Sequence, residues 1–217
     1  MVMSLTLRHR LGLTPTDVMP MLCACGEVLA DVSNPYHFHS CTYHRRRTVT
    51  NRHDQLAKLF QSLCRARATV LLEDHWRYHD RPDLEIFFNA GPNNGHVLAD
   101  VSIVCPCAPS YRVRASTSLA CAEYRAETKR NRYVDLANSM GADNQPLVFE
   151  SLGGSSTSTR TVLARLFASY ASQPSPEVPL KVWANLVRQR ISICLQRGNA
   201  FVDRAGITQA VRASRGL

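Results

Sequence analysis

Arg81-Pro82-Asp83-Leu84-Glu85-Ile86-Phe87-Phe88, followed after a turn-rich gap by Ala99-Asp100-Val101-Ser102-Ile103-Val104, decides how this chain folds. Each half is a short apolar strand signal that carries an aspartate at its start. Between them, residues 89–96 hold Gly91, Pro92, Asn93, Asn94 and Gly95, which read as a hairpin turn. The pattern predicts an antiparallel pair with Asp83 and Asp100 on neighbouring strands. Such a pair of carboxylates suits a hard divalent cation such as Mg²⁺, which takes oxygen ligands and keeps waters that a substrate phosphate can displace. Metal-dependent phosphodiester chemistry is the expectation this raises. Standing alone, the same pair more often marks two strands that begin at a solvated edge.

Outward from this hairpin the hydrophobic period changes. From Asp54, Leu56, Leu59, Phe60 and Leu63 recur at i, i+3, i+4 and i+7 and predict a helix, and residues 68–72 read as a buried strand. Downstream, Pro106 and Pro109 end the sheet run, residues 116–140 read as a long helix, and 146–150 as a further strand closed by Gly153-Gly154. The order helix, three strands, helix, strand predicts an α/β domain. Two helices should cover its sheet. One spans 161–171; the other has Pro179 near its first turn, Gly198 just past its end, and Trp183, Leu186, Val187, Ile191, Cys194 and Leu195 as its apolar face. The expected divisions are an extension over 1–20, a Cys/His element over 21–50, a core over 51–155 and C-terminal helices over 156–217.

A chain of 217 residues with 45% hydrophobic content can bury one core and a small appendage. Its net charge of +9 suits a polyanion, and arginine is concentrated at Arg45, Arg46, Arg47 and Arg52 and again at Arg125, Arg130 and Arg132. No apolar run is long enough for a membrane span and the first residues do not read as a secretory signal, so a soluble, intracellular protein is expected. The eight cysteines then fit reduced thiols better than a disulfide framework. Cys23, Cys25, His37 and Cys41 supply three thiolates and an imidazole, a tetrahedral Zn²⁺ set, with His39 competing for the fourth place. A segment this short would need the metal in order to fold.

On the long helix, Leu119, Ala122, Ala126, Lys129, Tyr133, Leu136 and Met140 share one face. A lysine on that stripe either snorkels to solvent or meets a buried anion, since an isolated buried ammonium is costly. Beside two aspartates it could neutralise charge developing on a phosphate. Glu85 alternates with Asp83 and is an accessory candidate; Glu150, Glu123 and Glu73 read first as structural acids, with Glu150 kept as a further accessory candidate.

Arg81, Pro82 and Asp83, then Asp100, then Lys129 with Tyr133 four residues on, resemble the restriction-like endonuclease of site-specific non-LTR retrotransposons, a divergent PD-(D/E)XK nuclease. Cys23, Cys25, His37 and Cys41, with His44 and Asn51-Arg52-His53-Asp54, look like the Cys/His element that precedes such domains. The resemblance implies a restriction-endonuclease-like core behind a reverse transcriptase in a polyprotein. It implies catalytic Mg²⁺ or Mn²⁺ on Asp83 and Asp100, Lys129 in place of the usual strand lysine, and Tyr133 as an accessory. At the usual lysine position stands Ser102. The expected activity is nicking of target DNA to prime reverse transcription, with element RNA as a further candidate partner and a nuclear location. The alternative is a catalytically inactive nucleic-acid-binding module from a decayed retroelement.

Overall fold

A computed structural model describes residues 22–29, 36–41, 43, 48–65, 68–72, 82–88 and 95–215. The fold is mixed α/β. Strands β1 (Thr69–Leu72), β2 (Leu84–Phe88) and β3 (Gly95–Ala99) are antiparallel neighbours, with Leu84 opposite Ala99. After Asp100 the chain continues as β4 (Val101–Val104). Strands β5 (Asp143–Asn144) and β6 (Leu147–Glu150) run parallel to β3 and β4 respectively. The Gln145 N–H donates to Leu98 O and the Leu147 N–H to Asp100 O, both at 2.9 Å, so the parallel ladder crosses the breaks in both strands. Parallel pairing needs a crossover, and helix α3 (Ala120–Met140) supplies it.

Alternation places the core. In β2, Leu84, Ile86 and Phe88 are buried, with Glu85 and Phe87 on the other face. Helix α2 (Thr50–Arg65) lays Leu56, Phe60, Leu63 and Cys64 on the buried side, and helix α4 (Thr157–Ala171) adds Val162 and Leu166. On α3, the small residues Cys121, Ala122 and Ala126 pack against Val104 and Val148 of the paired strands. Strand β1 is the sheet edge: Val70 is buried while Leu71 is 46% exposed, so the buried strand expected there is a half-covered one.

Three boundaries differ from the sequence expectation. Helix α3 starts at Ala120, four residues late, because Leu119 takes φ +62° and breaks the run after a 3-10 turn at Arg114–Ser116. Helix α4 starts four residues early, with the Thr159 N–H donating to Ser156 Oγ at 3.3 Å as an N-cap. The last helix, α5 (Leu180–Ser214), does not stop at Gly198. A Cβ at that glycine would lie 2.4 Å from Arg52 Cγ, so Gly198 is a notch for a side chain, which offsets its cost of about 1 kcal/mol in a helix interior.

At 35 residues α5 is ~52 Å long, and it packs chiefly against α2 rather than over the sheet. Its first half sends Val187, Ile191 and Leu195 into the main core. Its second half holds Val202, Ile207 and Ala210 against Cys23, Leu29, Phe38 and Cys41. Gly206 makes room there, since a Cβ would meet the Phe38 ring at 2.4 Å. One helix thus ties the Cys/His element to the α/β core. No described helix is long and apolar enough to cross a membrane.

Candidate active site and metal centre

The Cys/His element is built from two local pieces. Leu22 and Val28 form an antiparallel bridge. Inside it, the Gly26 N–H donates to Cys23 O at 2.9 Å with Gly26 at φ +92°, a turn that brings Cys23 and Cys25 to one side. His37 opens the short helix α1 (His37–Ser40) and Cys41 caps it, so they stand one helical turn apart. The four ligand atoms lie within 4.8 Å of one another, close enough to hold one metal ion. Cys23 Sγ is 3.8 Å from Cys41 Sγ, and Cys25 Sγ is 3.4 Å from His37 Nε2.

His39 is engaged elsewhere. Its Nε2 lies 2.9 Å from Asp203 Oδ1, and Arg52 donates to its Nδ1 at 2.8 Å and to Asn199 Oδ1 at 2.8 Å. Asn199 in turn donates to Ser151 O at 2.7 Å. Arg52 is only 2% exposed, which corrects its assignment to the nucleic-acid surface: its guanidinium joins α2, α1 and α5. Burial pushes its pKa down to about 10, still well above neutrality.

The second cluster forms where β2 begins and β3 gives way to β4. Because Leu84 faces Ala99, the residues just outside that pair, Asp83 and Asp100, come together as the hairpin pattern predicts. The Val101 N–H donates to Asp83 Oδ2 at 2.6 Å, so the carboxylate extends the ladder past the end of β2. His53 Nε2 lies 3.1 Å from the same oxygen, and His53 Nδ1 lies 3.0 Å from Asp54 Oδ1. Burial alone would lower the His53 pKa; the hydrogen bonds and charges of Asp83 and Asp54 outweigh it and raise the value to about 9.

Asp100 is 5% exposed. Tyr133 OH donates to its Oδ1 at 2.9 Å, and Lys129 Nζ lies 2.7 Å from its Oδ2. At that distance the ammonium is the close polar partner of the buried Oδ2. Burial raises the Asp100 pKa and the Asp83 charge raises it further, against the opposing pull of Lys129 and Tyr133. The two carboxylates are each held by a cation, Asp83 by His53 and Asp100 by Lys129. Lys129 itself is buried, its ammonium turned toward Asp100 rather than out to water.

Other sequence candidates have different placements. Glu85 Oε1 lies 2.7 Å from His96 Nε2. Glu150 Oε1 accepts the Ala122 N–H at 3.3 Å and so caps α3, whose own N-cap residue offers no side-chain bond. Glu123 accepts from the Thr157 N–H and hydroxyl, both at 2.7 Å, and caps α4 likewise. On α3, Arg130 pairs with Glu127, Arg132 is exposed with its guanidinium 5.5 Å from the Tyr133 ring centre, and Arg125 lines a cleft. Arg45, Arg46, Arg47, His44 and Glu73 lie outside the described residues.

His53 is the cluster member that sequence reasoning missed. Counting back three and four residues from Leu56 continues the buried stripe of α2 to His53 and Arg52, so a polar pair at the end of an apolar face was the available signal. Compared with known proteins, the chain matches no family model and no curated sequence.

Proposed function

We propose that this chain is a metal-dependent endodeoxyribonuclease with a restriction-endonuclease-like core. One observation carries the proposal: Lys129 Nζ lies 2.7 Å from Asp100 beside Asp83, although Ser102 holds the strand position where such nucleases carry a lysine. A buried ion pair seldom stabilises a fold over apolar packing, so its presence beside a second carboxylate favours a functional role. The element order, with α2, the strands β1 to β4, α3 and then β5 and β6, agrees with the resemblance.

The donor set fits a hard cation, since Asp83 and Asp100 offer oxygens only. Mg²⁺ or Mn²⁺ held there would supply charge neutralisation of the phosphate and a more acidic water. Tyr133 fixes the Asp100 carboxylate and His53 orients that of Asp83. Lys129 faces the phosphate that would approach them and stabilises its growing charge. For the Cys/His cluster the ion is Zn²⁺: tetrahedral bonds of ~2.3 Å to sulfur and ~2.0 Å to nitrogen place donor atoms ~3.5–3.8 Å apart, against separations of 3.8 and 3.4 Å here. By the same resemblance the cut would be a nick that primes reverse transcription inside a larger polyprotein.

The test is nicking of supercoiled plasmid in Mg²⁺ by wild type, Asp83→Asn and Asp100→Asn. Loss of the metal's contribution, several kcal/mol, should slow both variants about 10³-fold with DNA affinity retained. Equal nicking by all three refutes the nuclease proposal. Ser102 favours one second reading, a DNA-binding module without cleavage, which predicts tight binding and no nicking by wild type.

A further inference from the structure

A cleft of about 290 Å³ opens between the Cys/His element and strand β4. Its lining includes Ser40 and Val49 together with Ser102, Ser110, Tyr111 and Arg125. No carboxylate lines it among the described residues, and Arg125 gives it a positive charge. Ser102 lies two residues beyond Asp100, ~6.6 Å along the strand. Arg125 lies one turn before Lys129, ~6 Å along α3. The cleft thus begins where the acidic cluster ends, at a separation of roughly one or two nucleotide steps.

We propose that this cleft binds one nucleotide of single-stranded DNA next to the scissile phosphate, with Arg125 on a phosphate and the Tyr111 ring against the base. The size argues for a single strand: a space of about 290 Å³ matches one nucleotide rather than a base pair. The lining argues for nucleic acid, because a guanidinium, an aromatic face and several hydroxyls are the groups that hold a backbone and a sequence-tolerant stacked base. On this view the Cys/His element forms one wall of the substrate channel rather than a separate grip on distant DNA.

The proposal rests on the nuclease reading of the acidic cluster for what is cut, and a binding assay separates the two. Anisotropy of a labelled single-stranded oligodeoxynucleotide is measured with the full chain and no added divalent cation, against a blunt duplex of equal length. Arg125→Glu should weaken single-strand binding about tenfold or more, through loss of a phosphate contact. Tyr111→Leu should weaken it about fivefold or more, through loss of stacking. Lys58→Glu, an equal charge change at an exposed position on α2, should stay within about twofold because salt screens it. Equal losses for Arg125→Glu and Lys58→Glu overturn the cleft assignment, and so does tighter binding of the duplex than of the single strand. Failure of Asp83→Asn to reduce nicking would instead refute the chemistry and leave these binding results standing.

Discussion

Arg52 and His53 are adjacent in sequence and enter two different polar clusters. Arg52 joins His39, Asn199 and Asp203; His53 joins Asp83, across from Asp100, Lys129 and Tyr133. Each cluster holds a cation, a histidine and a carboxylate, so residue type does not separate them. Access does. The first is sealed, with Arg52 2% and Asp203 1% exposed, whereas the His53 and Asp83 side chains are 31% and 20% exposed. The number of carboxylates differs as well, since the open cluster sets two against each other. A sealed cluster ties helices together; an open one that sets two carboxylates side by side at a reachable edge can take a cation and a substrate.

The largest effect expected comes from metal removal at the Cys/His cluster, whose ligand His37 stands on the same short helix α1 as His39. Thiolate and imidazole ligation contributes ~10–16 kcal/mol of apparent folding energy in zinc-finger peptides. Chelation, or Cys25→Ser, should therefore unfold the Cys/His element while the sheet, α2 and α3 persist. Hydrogen exchange read by mass spectrometry should show protection lost over Leu22–Leu29 and Tyr36–Cys41 and kept in β2 to β4. Unchanged protection after chelation, or freshly purified protein with no metal near one equivalent, would remove the metal from the account of this half.

Next in size is Arg52→Met. Methionine keeps the stem beside Gly198 but leaves Asp203 and His39 without their cation, and breaking a buried pair typically costs ~3–5 kcal/mol. Urea unfolding should show that loss, while nicking per folded molecule stays near wild type. A loss under ~1 kcal/mol would mean that the sealed cluster is not a strut. Reduced nicking at full stability would mean that the two clusters are coupled through the first turn of α2.

How much of this was legible follows from the ranges of the interactions involved. Period-two alternation at Leu84, Ile86 and Phe88 and the turn residues after them identified β2 and the Asp83–Asp100 pairing, because a hairpin is local in sequence. The one-turn gap from His37 to Cys41 likewise favoured His37 over His39 as the ligand. Arg52 was misplaced because an arginine ordinarily belongs at the surface, and only α5, some 147 residues away, supplies Asn199 to receive it. Gly198 reads as a helix stop by local rules, and its tertiary partner reverses that meaning. Likewise the left-handed Leu119 that delays α3 carries no local signature.

Lys129→Met probes the open cluster at smaller cost. Methionine retains the unbranched apolar stem, so the helix should pack much as before. If the ammonium stabilises phosphate charge, single-turnover nicking at saturating protein and Mg²⁺ should fall about 10²-fold with little change in DNA affinity. Lys129→Arg should not restore the rate, since a planar guanidinium cannot place its charge as a compact ammonium does. A Lys129→Met rate within about threefold of wild type would make the ion pair structural and erase the distinction between the two clusters.

The smallest effect marks the edge of the open cluster. Glu85 shares the outward strand face with Asp83, which made it an accessory candidate, yet its carboxylate is 2.7 Å from His96 Nε2 on the neighbouring strand. The His96 ring in turn stacks on Phe87 at 4.3 Å. A cross-strand pair of this kind contributes roughly 0.2–1 kcal/mol. Glu85→Gln keeps the hydrogen-bonding shape and removes the charge, so stability should fall by less than ~1 kcal/mol and the single-turnover nicking rate should stay within about threefold. The mutant's Mg²⁺ dependence is the sharper measurement. An unchanged midpoint confines the metal site to Asp83 and Asp100, whereas a midpoint raised about tenfold would show that the negative charge of Glu85 reaches the cation and that the open cluster extends one strand position further along β2.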